Sequence, residues 1–191
     1  GMDAMTHAIE AYVSTLHCNY TDPLALHAIK LIHENLKKSY DGDMAARDTM
    51  HDAQCLAGMA FSNVGLGVVH GMAHPLSAFY GIPHGVANAV LLPYVMEFNK
   101  DYTGEKFREI ARVLGVKGVD AMREDEYRQA AIDAVRQLSL DVNIPQTLKE
   151  IGVQEEDLPA LAEAAMADVC TGGNPRPCTF ELVLEVYKKA F

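Results

Sequence analysis

The sequence predicts an all-α fold, and three observations carry that prediction. Apolar residues recur at helical spacing in nearly every segment. Capping residues stand where that periodicity begins and ends. Strand-like alternation is scarce. Residues 2–16 open the chain as an amphipathic helix. Asp22-Pro23 then offers a capping carboxylate and a first-turn proline before the apolar run Leu24–Ile32. A third helix covers roughly 43–63, rich in Ala and Met, and its methionines read as core packing. Val86 to Leu92 is apolar enough for a strand, but its Ala and Asn content suits a buried helix better. Thr103-Gly104-Glu105-Lys106 introduces the run Phe107–Leu114, and Gly115 closes it as a C-terminal cap. Residues 124–140, 156–168 and 180–190 repeat the pattern. No internal repeat or linker-like composition interrupts the chain, so residues 1–191 read as a single all-helical domain.

Composition narrows the function. About half the residues, 49%, are hydrophobic, enough for a sizeable core. A net charge of -10 argues against nucleic acid and against an anionic membrane surface. No apolar stretch reaches transmembrane length. Cys18, Cys55, Cys170 and Cys178 form no CxxC pair and read as reduced thiols, which points to a cytoplasmic protein. Candidate ligands already lie in the opening turns, where an independent fold would fray. The chain therefore reads as the second half of a longer polypeptide, with Gly1 either native or a tag remnant.

Four residues are candidate metal ligands: Asp3, His7, His70 and His84. Asp3 and His7 are four apart, so one helix face presents a carboxylate and an imidazole together. Three neutral imidazoles and a carboxylate suit Fe(II) or Zn(II). His70 and His74 form HxxxH, yet no Glu follows the first His, so the metalloprotease motif is absent. Gly65, Gly67, Gly71, Gly81 and Gly85 crowd this region, which fits either close approach of backbone to a ligand or a tight helix crossing. Gly65-Leu66-Gly67-Val68-Val69-His70-Gly71 lacks GxGxxG, a preceding strand and a following acidic residue. It is not a dinucleotide loop.

Other clusters carry rival readings. His51-Asp52, with His33 and Asp101, matches the ligand set of an all-α metal phosphohydrolase, or lies on an exposed helix face. A non-catalytic helical interaction domain is a further alternative. His17, His27 and His33 fall singly and read as surface residues. The polar, Gly-rich segment Asp168–Arg176 is either a functional loop or a connector whose Asn174 and Arg176 cap helix ends.

Together, Gly1–Glu10, the segment from His70-Gly71-Met72-Ala73-His74-Pro75 to Pro83-His84-Gly85, and Asn174-Pro175-Arg176 resemble the iron-containing (group III) alcohol dehydrogenases along the whole chain. The resemblance implies the multihelical C-terminal domain of the iron-containing alcohol dehydrogenase/dehydroquinate synthase-like fold, without its N-terminal nucleotide-binding domain. It implies a metal-dependent, NAD(P)-linked alcohol dehydrogenase or aldehyde reductase acting on a short-chain alcohol or diol. By the same resemblance Asp3, His7, His70 and His84 hold Fe(II), with Zn(II) the alternative. His74 lies beside the nicotinamide and helps relay a proton, and Phe61 and Cys170 line the substrate pocket. The partners implied are the nucleotide-binding domain, a small alcohol or aldehyde and, in some assemblies, further copies of the chain. Alone, the chain is expected to be inactive.

Overall fold

The computed structural model describes residues 1–191 as nine α-helices linked by turns and short 3-10 segments, with no strand. They are α1 (Met2–Val13), α2 (Thr21–Tyr40), α3 (Met44–Val64), α4 (Val68–Tyr80), α5 (His84–Asn99), α6 (Lys106–Val113), α7 (Glu124–Asp141), α8 (Leu158–Ala167) and α9 (Phe180–Ala190). The expected helices are all present, with ends displaced by a few residues. The Val86–Leu92 run lies inside α5 as a buried helix.

α2 and α3 fold back on one another across a three-residue turn, and α1 packs against both and against α5. α4 crosses α5 and α8, while α6 rests on α7 and α9 on α8. One continuous apolar cluster of 53 buried residues runs through these contacts. The expected amphipathic character of α1 is not what the fold uses. Its residues are buried except Asp3 and His7, because helices cover it on several sides. α1 is a central helix, and its two half-exposed polar residues mark the one face left open.

Local chemistry sets the helix ends. Asp43 caps α3, its Oδ1 accepting from the N–H groups of Ala45 and Ala46 at 2.9 and 3.1 Å. Asp22, expected to cap α2, does not. α2 starts a residue earlier, and the Asp22 carboxylate instead accepts from Lys106 Nζ at 3.1 Å. Thr103 does not cap α6 either; its hydroxyl donates to the Lys100 carbonyl. Gly115 does follow the end of α6 at φ +75°, a left-handed position that glycine adopts without steric cost.

The Asp168–Arg176 segment ties α4 to α5. Asn174 Oδ1 accepts from Val68 N at the start of α4 and from Asn99 Nδ2, and its own Nδ2 donates to Asn99 Oδ1 at 2.8 Å. Arg176 donates to the Phe98 carbonyl at the end of α5. Those two residues act as helix-end caps, as the connector reading expects. Gly71 explains part of the glycine crowding, since a Cβ there would stand 2.1 Å from Thr171 Oγ1. At that point a tight crossing, not a ligand, requires glycine.

Candidate metal centre

Three helices deliver the four candidate ligands to one point. Asp3 and His7 come from the open face of α1, His70 from the first turn of α4, and His84 from the first residue of α5. One ligand atom from each lies within 4.8 Å of all the others. Asp3 Oδ1 is 3.6 Å from His84 Nε2 and 4.0 Å from His70 Nε2.

The imidazoles are held in orientation before any ion arrives. His70 is buried and its Nδ1 donates to Glu10 Oε2 at 2.6 Å, leaving the Nε2 lone pair aimed at the cluster. Glu10 Oε1 accepts from Val69 N at 2.7 Å, so the same carboxylate fastens the start of α4. A Cβ on Gly67 would stand 2.9 Å from Glu10 Oε1, so here the backbone must come close to a polar group. His7 is sandwiched between Phe61 and His70, with ring centroids 4.4 and 4.7 Å away. Burial pushes His7 down to about 4 despite the opposing pull of Asp3. Burial also lowers His84, again against Asp3. Both are therefore neutral at pH 7, the form that can ligate.

The donor set fits a cation by its own bonding. Buried Asn88 places Nδ2 2.7 Å from Asp3 Oδ1, 3.1 Å from His70 Nε2 and 3.0 Å from His84 Nε2. Three acceptors from three helices thus converge on one electropositive group, the arrangement that a divalent ion satisfies.

His74 belongs to a neighbouring trio and not to this set, so HxxxH is not a chelating pair. Its Nδ1 donates to Asp168 Oδ2 at 2.7 Å, while its ring stacks on His84 at 5.4 Å. Burial alone would raise Asp168, but the Cys170 N–H and the His74 ring outweigh it and hold the carboxyl below its ordinary value. Burial, helped by the Asp168 charge, pushes the Cys170 thiol up to about 12. A thiol that stays protonated at neutral pH is a poor nucleophile. Phe61 and Cys170 meet in an apolar cavity of about 450 Å³, with Leu16, Leu66 and Val169 also lining it.

The phosphohydrolase set does not assemble. His51 and Asp52 are exposed on α3, Asp101 pairs with Arg128 at 3.1 Å, and neither convergent group contains any of them. His51 borders a cleft shared with Asp3 and His7 but stands outside the ligand cluster. His17 and His27 are exposed, whereas His33 is half-buried beside Gly115. Three residues that shape the site carried no assignment from sequence: Glu10, Asn88 and Asp168. Glu10 had a signal, being a charge three residues after His7 on a run otherwise apolar.

This helical fold, with an Asp/His₃ cluster on its open face, places the chain in the Fe-containing alcohol dehydrogenase family, whose C-terminal part matches residues 1–191. The chain is 56% identical over 191 residues to lactaldehyde reductase of Escherichia coli strain K12, covering 100% of this chain and 50% of that protein. It is 47% identical over 192 residues to an NADPH-dependent butanol dehydrogenase of Clostridium saccharobutylicum, covering 98% and 49%. A crystal structure of 1,3-propanediol oxidoreductase superposes with a TM-score of 0.97 at 43% identity, over 100% of this chain and 50% of that one. The chain spans about half the length of these relatives.

Proposed function

We propose that this chain is the metal-binding half of a nicotinamide-linked alcohol dehydrogenase or aldehyde reductase for short-chain alcohols, diols or lactaldehyde. The observation that carries the reading is the convergence of Asp3, His7, His70 and His84 on one point, with His7 stacked on Phe61, which lines an apolar cavity. Relatives about twice as long support a partner domain N-terminal to this one that binds NAD(P). The ligand set suits Fe(II) first, given the family, and Zn(II) second. Four thiols with no disulfide between them support a reducing, cytoplasmic setting.

When bound, the cation stabilises negative charge on the alcohol or aldehyde oxygen, and the nicotinamide carries the hydride. The chain's own residues do the rest. Phe61 and Cys170 present an apolar wall that excludes water from the substrate carbon. Asp168 holds the proton of His74 on Nδ1, so Nε2 is free to exchange a proton with the substrate hydroxyl. Glu10 fixes His70 in the tautomer that faces Asp3.

The test is an assay following NAD(P)H with 1,2-propanediol, 1,3-propanediol and butanol, run on this chain alone and joined to its nucleotide-binding half. Turnover only in the joined protein, dependent on Fe(II) or Zn(II), is expected. Metal-independent turnover, or none with any of these alcohols, overturns the proposal.

A further inference from the structure

A second group of potential ligands lies between α4 and the 3-10 turn Val169–Gly173. His74, Asp168 and Cys170 each offer one donor atom there, and these atoms lie within 4.8 Å of one another. Asp168 is the hub. It follows the end of α8 and caps the turn, its Oδ1 accepting from Cys170 N at 2.8 Å while Oδ2 accepts from His74 Nδ1 at 2.7 Å. The carboxylate is thereby fixed between the imidazole and the turn that carries the thiol. His74 and Asp168 remain partly exposed, and Cys170 borders the apolar cavity, so an ion reaches the trio from solvent.

The two donor sets differ in softness. Asp3, His7, His70 and His84 supply nitrogen and oxygen alone, whereas the trio adds sulfur, which selects Zn(II) over harder cations. One nitrogen, one oxygen and one sulfur, with a water in the fourth position, complete a zinc tetrahedron. Donors around such an ion, with bonds of about 2.0 Å, stand roughly 3.3 Å apart. His74 Nδ1 and Asp168 Oδ2 are closer than that because a proton lies between them. An ion in the proton's place needs a gap wider by roughly 0.6 Å, which a small turn of either partly exposed side chain supplies. Burial holds the Cys170 thiol protonated, and coordination removes that proton.

We infer that His74, Asp168 and Cys170 form a second, inhibitory site for a thiophilic divalent cation, Zn(II) foremost. The inhibition rests on the proton-relay role proposed for His74. When Zn(II) binds His74 through Nδ1, the ring's single proton moves to Nε2 and the Cys170 proton leaves to solvent. Nε2 then cannot accept a proton from the substrate hydroxyl. Excess Zn(II) arrests turnover with the ion of the neighbouring centre still in place.

Co(II) is the probe, because bonding to sulfur gives it a near-ultraviolet charge-transfer band that nitrogen and oxygen donors do not. The metal-free chain is expected to take up two Co(II) ions, one of them with that band. Cys170→Ser should abolish the band and weaken uptake of that ion by about tenfold or more, while Cys178→Ser keeps both. Zn(II) should also protect Cys170 from iodoacetamide and leave exposed Cys18 reactive. In the Fe(II)-loaded enzyme joined to its nucleotide-binding half, Zn(II) on the trio should slow turnover by about 10²-fold with the iron retained. One Co(II) taken up without the band, or a band that survives Cys170→Ser, overturns the inference and leaves the neighbouring centre standing. A single Co(II) that carries the band overturns that centre and leaves the trio a metal site. Undiminished turnover with Zn(II) bound to the trio overturns its inhibitory role.

Discussion

Glu10 and His70 form a buried hydrogen bond of 2.6 Å between Oε2 and Nδ1, joining the central helix α1 to the start of α4. The carboxylate also receives the Val69 N–H, so one side chain positions both a proposed ligand and the helix that carries it. Glu10→Gln keeps the shape but replaces one acceptor with a donor. A drop in metal affinity of about 10- to 100-fold is expected, read by competition against a zinc chelator. Glu10→Ala should also lower the melting temperature of the metal-free chain, since it strands two buried donors at about 1–3 kcal/mol each.

Removing a ligand should act on the ion before it acts on the fold. His84 is half-exposed, so His84→Ala is expected to leave helical content unchanged by circular dichroism while metal stoichiometry falls sharply in elemental analysis. Full metal content in that variant removes His84 from the ligand set.

Asp168 has a different signature. Asp168→Asn in the complete two-domain enzyme should keep metal content but slow turnover by about 10²-fold or more, within the range general acid–base catalysis contributes. The reason is that His74 loses the acceptor that fixes its tautomer. Loss of metal in this variant would instead place His74 and Asp168 among the structural supports of the ion.

The cysteines offer a pH test in which the sign is fixed by burial. The thiolate is the nucleophile, so a raised pKa delays alkylation to higher pH and a lowered one advances it. Exposed Cys18, lowered first of all by its hydrogen bond with Thr21, should be modified by iodoacetamide at pH 7–8. Cys170, raised to about 12, should react slowly there and accelerate about tenfold per pH unit as pH rises toward that value. Peptide mass spectrometry on timed samples resolves the two. Equal rates at pH 8 would contradict the buried environment assigned to Cys170.

Gly71→Ala should destabilise the chain by about 1–3 kcal/mol, the usual range for overpacking. A Cβ at that position meets Thr171 Oγ1, whose hydroxyl is already committed to the Ala165 carbonyl at 2.6 Å. Urea denaturation provides the measurement.

Much of this architecture was legible because helical periodicity depends on near neighbours. The helix over 180–190, the buried helix across Val86–Leu92 and the Gly115 stop all follow from residues within a turn or two of each other. The i, i+4 spacing of Asp3 and His7 put both on one face for the same reason. What escaped depends on distant partners. α1 reads as amphipathic until α2, α3 and α5 cover it. Asp22 looks like a cap until Lys106, far along the chain, draws its carboxylate away. HxxxH pairs His70 with His74 by spacing alone, whereas in the fold the His74 ring hydrogen-bonds Asp168 and lies outside the Asp3, His7, His70 and His84 cluster. Asn88 carries no signal at all, because its meaning lies in three acceptors supplied by separate helices.

The placement of Asp3 on α1, His70 on α4 and His84 on α5 would make a bound divalent ion a clasp between three helices. Whatever binds the native arrangement and not the open chain shifts the equilibrium by mass action, by about 2.7 kcal/mol at a hundredfold excess over its dissociation constant. With the proposed centre in place, the durability of this helical assembly would be coupled to the surrounding concentration of free divalent metal. Starvation for that nutrient would then loosen the fold itself.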